Sequence, residues 1–353
     1  MNAFAPVAGV AVRIADREDA GERERIETFI AAHPDAQPFH SPRWSLAVER
    51  GCGQRGHYLL AEDSSGNLVG LLPLTEVRSR LFGAVLVSTG FGVGGGILAH
   101  HEVAAASLAD AAWSLSQRLG CPTVELRGGS IPPGWRRCEG AYAGFVRALP
   151  DEDGGILPSI PRKQRAEIRR ALGFGLDVSI GRGTRHHYRV YSESVRNLGT
   201  PVFPRALFEA MLEAFGDDAD ILTISKDGRP LSSVLSFYFQ GTVYPYWGGG
   251  TAEARTWRAN ELIYYELMRH AVRRGCTRFD FGRSKLGTGA FAFKKNWGFE
   301  PQPLVYAERA ADGVPPREIN PLSPKYRMQV AAWKRLPLWL ANRLGPSIAR
   351  GLG

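Results

Sequence analysis

The order of strand-like and helix-like runs between residues 220 and 281 constrains this chain most. Asp220 to Ser225, Leu231 to Phe239 and Val243 to Trp247 are β-type runs separated only by Lys226-Asp227-Gly228 and a turn at Gly241. They read as an antiparallel meander. Asn260 to Arg274 follows, with Ile263, Leu267 and Ala271 at i, i+4 and i+8, the period of one helix face. Gly275 ends that helix as a C-terminal glycine cap does. Thr277 to Phe281 then reads as a strand, Ala290 to Trp297 as a short helix and Leu304 to Glu308 as a last strand.

At 353 residues the chain exceeds what one hydrophobic core usually organises. The first half repeats the vocabulary of the second. Val10 to Ile14 predicts a strand and Arg17 to Ala32 a helix. Ser41-Pro42 opens a short helix as N-cap plus first-position proline. His57 to Glu62 and Leu68 to Glu76 predict a hairpin, and Ala84 to Ser88 a strand. A glycine-rich loop, read as flexible and cleft-lining, leads to a helix over Glu102 to Leu119 and strands over Thr123 to Arg127 and Tyr142 to Leu149. The Asp/Gly-rich Asp151 to Leu157 reads as a linker. Beyond it, Ser159 to Leu172, His186 to Leu198 and Pro204 to Phe215 predict helices, and Asp177 to Ile180 a strand. The division expected is therefore 1–150, 151–312 and a basic tail 313–353. The fold class is α/β (α+β), with mixed, mostly antiparallel sheets flanked by helices. The halves share element order without a visible sequence repeat.

Composition excludes several classes of function. Cys52, Cys121, Cys138 and Cys276 are scattered, with no C-x-x-C, and His100-His101 and His186-His187 lack Cys or carboxylate companions, so no metal is expected. No apolar run approaches the roughly 20 residues of a membrane span, and no signal peptide is visible, so the expected location is cytoplasmic. A net charge of +9 favours anionic partners, with no DNA expected. Gly90-Phe91-Gly92-Val93-Gly94-Gly95 satisfies G-x-G-x-x-G, but Asp110, twenty residues on, falls inside a predicted helix rather than at a strand end. Asp280-Phe281-Gly282 has none of the companion motifs of a kinase, and no G-x-S-x-G elbow exists.

The chemistry-bearing stretch runs from Trp247 to Gly298. Gly248-Gly249-Gly250 follows the third meander strand, and Arg255-Thr256-Trp257-Arg258-Ala259-Asn260 precedes the long helix. Then come Phe279-Asp280-Phe281-Gly282-Arg283-Ser284-Lys285 and Gly289-x-x-x-Phe293-Lys294-x-x-Trp297-Gly298. These elements resemble the FemABX peptidyltransferases of the GNAT superfamily, whose G-x-x-x-F-K-x-x-F-G element follows a strand ending in Asp-Phe-Gly-like residues; Trp297 replaces its second Phe. The wording Asp-Phe-Gly-Arg-Ser-Lys and the tail start Asn320 to Tyr326 are similar to the FemAB-related subgroup of exosortase/PEP-CTERM systems.

The resemblance implies two tandem GNAT-like domains whose neighbouring strands splay apart to admit an acyl donor. It implies transfer of an acyl or aminoacyl group to an amine on a cell-envelope acceptor, peptidoglycan or exopolysaccharide-related. Lys294 would stabilise the tetrahedral oxyanion, and Asp280 would orient the attacking amine or take its proton. Arg162, Arg165 and Arg169 lie at i, i+3 and i+7 on one face of a basic helix, with Ile168 and Leu172 turned away. They would meet the phosphate of an anionic substrate, a phosphorylated precursor or tRNA. Tyr246, Trp247, Asn260, Arg283, Lys285 and Phe293 are the other candidate substrate contacts. The R/Q-x-x-G-x-G/A loop that holds a coenzyme pyrophosphate at a helix start has no glycine here. That departure counts against acyl-CoA, and the resemblance implies aminoacyl-tRNA as the donor, with no tightly bound cofactor. The family's lysine after a first-domain Trp is also missing, because Trp44 is followed by Val48-Glu49-Arg50.

The tail interleaves Lys325, Arg327, Lys334, Arg335, Arg343 and Arg350 with Trp333, Leu336, Trp339 and Leu340, around Pro337. That pattern suggests peripheral contact with the inner membrane face; packing on the domains is its counterpart. An acyl-CoA-dependent N-acetyltransferase and a non-enzymatic RNA- or lipid-binding protein on the same fold are the rival readings.

Overall fold

A computed structural model of the chain describes residues 4, 9–315 and 324–353. The chain divides into two compact units, Met1–Glu139 with Leu304–Ile319 and Ser347–Gly353, and Gly140–Pro303 with Asn320–Pro346. This departs from the contiguous division expected from the sequence. The reason is strand pairing. The last strand, Tyr306–Ala310, lies in the first unit's sheet, antiparallel to Thr123–Arg127. The segment read as one strand, Tyr142 to Leu149, is two strands of the second unit in different sheets. Tyr142–Gly144 joins a three-stranded sheet, whereas Val146–Ala148 edges the six-stranded one. The break is Phe145, fully buried, whose carbonyl accepts from Phe281 N at 2.8 Å.

In the first unit, strands Arg55–Glu62, Leu68–Ser79 and Gly83–Ser88 form a meander. The helix Glu102–Leu119 crosses over to Thr123–Arg127, which pairs parallel with Gly83–Ser88. Ser41 caps the Pro42–Cys52 helix by accepting from Arg43 N. Leu59, Leu72, Leu86, Leu108, Val124 and Leu126 belong to its core.

The glycine-rich loop of this unit is packed rather than flexible, which corrects the cleft-lining expectation. Gly96 N donates to Arg127 O at 3.0 Å, and the buried Arg127 guanidinium donates to the carbonyls of Thr89 (3.3 Å) and Gly92 (2.8 Å). The glycines are there for room. A β-carbon on Gly94 would lie 1.9 Å from Gln37 Oε1, and one on Gly96 1.8 Å from the carbonyl oxygen of Gly128. Trp44 is likewise a core residue, fully buried with its indole N–H on Gly90 O at 3.0 Å.

In the second unit, Asp177–Gly181, Ala219–Lys226, Arg229–Phe239 and Thr242–Gly250 form an antiparallel run. The helix Ala259–Arg273 then leads to Arg278–Asp280, parallel to Thr242–Gly250. That parallel pairing covers only Thr242 with Arg278 and Val243 with Phe279. Beyond Val243 and Phe279 no pairing joins these two strands among the described residues. The helix predicted over Ser159 to Leu172 is interrupted at Pro161, giving a turn Ile156–Ser159 and a helix Arg162–Leu172.

The tail forms helices Pro324–Lys334 and Leu338–Ala349, broken near Pro337. The first packs on the helix Thr184–Leu198, where Arg196 donates to Leu336 O at 3.2 Å. Among the described residues no helix is long and apolar enough to cross a membrane. Residues 316–323, which include the start of the tail motif, lie outside the described residues.

Gly96→Ala tests the loop packing: because its β-carbon would meet backbone rather than a movable side chain, it should cost about 1–3 kcal/mol of stability. Urea unfolding of the full chain measures this, and Gly154→Ala, with open space around it, is the neutral control.

Candidate active site

The segment from Phe279 to Gly298 folds around the amine of Lys294. Strand Arg278–Asp280 ends in a turn in which Asp280 Oδ1 accepts from Gly282 N at 2.8 Å. Gly282 has φ of 71°, a left-handed conformation that favours glycine. The turn presents the carbonyls of Gly282 and Arg283, and Lys294 Nζ donates to them at 3.1 and 3.0 Å. Lys294 comes from the helix Gly289–Asn296, whose N-cap Thr288 accepts from Phe291 N. Gly298, at φ 80°, ends that element after the fully buried Trp297. Gly282, Gly287 and Gly298, all left-handed, shape the segment, and Lys294 reaches back from its helix to the first of these turns.

Electrostatics set this site apart. Burial pushes the Asp280 carboxyl up to about 6, partly offset by the Gly282 amide and by Lys294. Burial pushes the Lys294 amine down to about 7, partly offset by Asp280. Nζ also sits 5.4 and 5.5 Å from the ring centres of Phe145 and Phe281. An acid and an amine that both titrate near neutrality can exchange protons with a reacting group.

Next to this pair lies a cavity of about 630 Å³. Its wall includes Gly249, Gly250, Arg255, Asn260, Tyr264 and Phe293. The glycine run lets neighbouring side chains approach: a β-carbon on Gly249 would lie 2.3 Å from Ser194 Oγ, and one on Gly250 2.2 Å from Asn260 Oδ1. Asn260 is held by Ser232 Oγ, which donates to it at 3.0 Å. Asp280 and Lys294 are not part of the cavity wall. They connect to it through rings, because Tyr264 packs 4.7 Å from Phe281 and 5.7 Å from Phe293.

Other sequence candidates fall elsewhere. Leu235 pairs with Trp247 and Ser236 with Pro245, so Tyr246 is the extra residue of a β-bulge. Trp247 is buried among Phe208, Phe237 and Tyr246 and serves the core. Arg283 stacks on Tyr142 at 4.5 Å, and Lys285 is half-buried in a short strand beside Tyr142. On the basic helix Arg162 and Arg169 are exposed, and Arg165 is half-buried with a bond to Pro158 O at 3.4 Å. Ile168 is buried as expected, but Leu172 is 48% exposed, because the helix ends there rather than turning that face inward. Glu167 ties this helix to the start of the helix Ala259–Arg273 through Arg258 at 2.6 Å. Tyr264 and Lys334 are wall residues that the sequence reading missed. Tyr264 was legible, because it lies one turn after Asn260 on the same helix face.

Residues 162–295 match the family model described as an acetyltransferase (GNAT) domain. No curated protein matches the sequence. Among solved structures, FemX is 16% identical with a TM-score of 0.64, over 80% of this chain and 95% of that one. A tandem GNAT protein from the clavulanic acid biosynthesis pathway is 14% identical with a TM-score of 0.56, over 87% and 100%. The C-terminal domain of a protein assigned as a lysylphosphatidylglycerol synthetase from Agrobacterium fabrum is 12% identical with a TM-score of 0.52, over 82% and 92%. Residues 162–295 thus match a GNAT acetyltransferase domain model, and the chain shares its fold with FemX and with a tandem GNAT protein.

Proposed function

We propose that this GNAT-fold acyltransferase moves an acyl or aminoacyl group from an ester donor to an amine of a phosphorylated cell-envelope or exopolysaccharide-related acceptor. The observation that carries the reading is the half-buried Asp280 and Lys294, poised at about 6 and about 7 at the end of the two-residue parallel pairing. In the reaction the acceptor amine attacks the donor carbonyl carbon and forms a C–N bond. The oxyanion that develops takes a hydrogen bond from Lys294, which has three donors and uses two on the carbonyls of Gly282 and Arg283. Asp280 takes the proton from the amine, and the ester C–O bond breaks as that proton passes to the leaving oxygen. Arg162 and Arg169, exposed on the basic helix, supply phosphate contacts to the acceptor.

Aminoacyl-tRNA is the donor we favour, with acyl-CoA as the alternative. The position of the missing pyrophosphate-loop glycine is Arg258, which keeps a left-handed backbone at φ 53°. Two residues on, Asn260 fills with a side chain the space a backbone cradle would leave open. The loop shape persists, but close approach of a diphosphate to the helix amides is obstructed.

Activity requires Asp280 ionised and Lys294 protonated. The rate should therefore fall as pH drops through about 6 and fall again as pH rises through about 7, giving a narrow bell. Transfer of label from aminoacyl-tRNA into an envelope extract measures it. Lys294→Ala should lower the rate by about 10²–10³, Lys294→Arg should move the basic limb upward, and Asp280→Asn should remove the acid limb. Full activity in Lys294→Ala would end this assignment. For the tail, Met328 and Trp339 are 83% and 68% exposed, which supports contact with anionic membrane. Trp339→Glu should cut co-sedimentation with phosphatidylglycerol vesicles severalfold; unchanged binding would exclude the tail as the anchor.

A further inference from the structure

We propose that the C-terminal segment completes the donor pocket, and that Lys334 from this segment, together with Arg255, holds a phosphate group of the donor. The inference rests on reading the 630 Å³ cavity as the donor site. Lys334 is the last residue of the helix Pro324–Lys334, and it lines the cavity together with Arg255, Ser194 and Thr251. No Asp or Glu is part of that wall. Neither Lys334 nor Arg255 forms an ion pair with a carboxylate among the described residues. A cavity with two unneutralised cations and no acid attracts an anion.

Three further features favour phosphate. The N-terminal residues Gly289 and Ala290 of the helix Gly289–Asn296 lie in the wall, where the helix dipole is positive. Thr251 Oγ1 is buried without a hydrogen-bond partner. The volume falls within the roughly 300–1,000 Å³ usual for small-molecule sites, large enough for a nucleotide. Side chains would thus take over phosphate binding from the obstructed amides at Arg258 to Asn260.

Lys334 is placed by the fold. The helix Thr184–Leu198 ends at Gly199, φ 85°, and the tail helix crosses this glycine so closely that a β-carbon there would lie 2.5 Å from Val330 Cγ1 and 3.1 Å from Lys334 Cε. Arg196 fixes the turn after Lys334 by donating to Leu336 O at 3.2 Å. The lysine stem is carried over the helix end toward the cavity.

Two phosphate sources share this chemistry: the terminal nucleotide of an RNA donor and the diphosphate of a coenzyme. Calorimetric titration of the full chain with inorganic pyrophosphate, an RNA acceptor-stem minihelix and coenzyme A tests the proposal. Lys334→Gln and Arg255→Gln should each weaken pyrophosphate binding at least fivefold and at least halve the salt dependence they share, with thermal unfolding unchanged. Arg80→Gln, an exposed arginine of the other unit, should have no effect. Weakening of minihelix binding alone identifies the RNA source, and weakening of coenzyme A binding identifies the coenzyme. Pyrophosphate affinity equal in wild type and both variants, or absent from wild type, overturns the proposal. Because binding needs no turnover, its loss is separable from failure of the transfer reaction: Lys294→Ala should bind pyrophosphate normally whether or not it transfers.

Discussion

A parallel pairing two residues long governs the second unit. Thr242 pairs with Arg278 and Val243 with Phe279, and from there Thr242–Gly250 runs on without that neighbour. Unpaired strand backbone needs other partners or solvent, and the sequence supplies the means locally: a bulge at Tyr246, a run of three glycines, and Asn260 fastened by Ser232. The first unit begins the same way, with a parallel pairing of Leu86–Ser88 against Val124–Leu126. There the chain does not part. Gly96 bonds to Arg127, Ile97 bridges to Gly129, and the Arg127 guanidinium ties down Thr89 and Gly92. The corresponding space is occupied by packed loop, which is a physical reason to look for chemistry in the second unit.

The partners of Lys294 explain why it stays titratable. Had its amine met a carboxylate directly, the pair would hold both charges and keep the proton. Its hydrogen bonds go instead to two carbonyls, which orient the amine without neutralising it. Burial can then lower its affinity for protons, while Asp280, capped by one backbone amide, is raised by the same burial. Leaving a cation and an acid incompletely compensated costs stability, as functional sites often do.

Much of this was legible from local signals. Glu102–Leu119 and Thr123–Arg127 match the sequence reading residue for residue, because an Ala-rich amphipathic helix closed by Gly120 leaves little ambiguity. The motif from Phe279 to Gly298 was legible too, because its glycines and lysine act within twenty residues. Long-range pairing was not. Nothing near Tyr306–Ala310 says that its partner is Thr123–Arg127, and nothing near Tyr142 says that Phe145 splits one run between two sheets. Trp247 illustrates a subtler limit. Next to a bulge, a shift of one residue exchanges the two faces of a strand, so its placement in the core depends on the bulge at Tyr246.

The phosphate-loop region argues for how donor selectivity can change without a change of fold. A glycine at position 258 would permit both the left-handed turn and an unobstructed approach to the helix start. This chain separates those two roles. It keeps the turn at Arg258, φ 53°, stabilised by the ion pair to Glu167, and gives up the approach by placing Asn260 in the cavity wall. Arg258 is thereby committed to the basic helix rather than to a ligand. Within the matched segment 162–295 the cation in this wall is Arg255, and the second, Lys334, comes from beyond that segment. On the proposed reading, side chains, one of them from a later segment, take over the phosphate recognition that backbone amides at a helix start would otherwise supply.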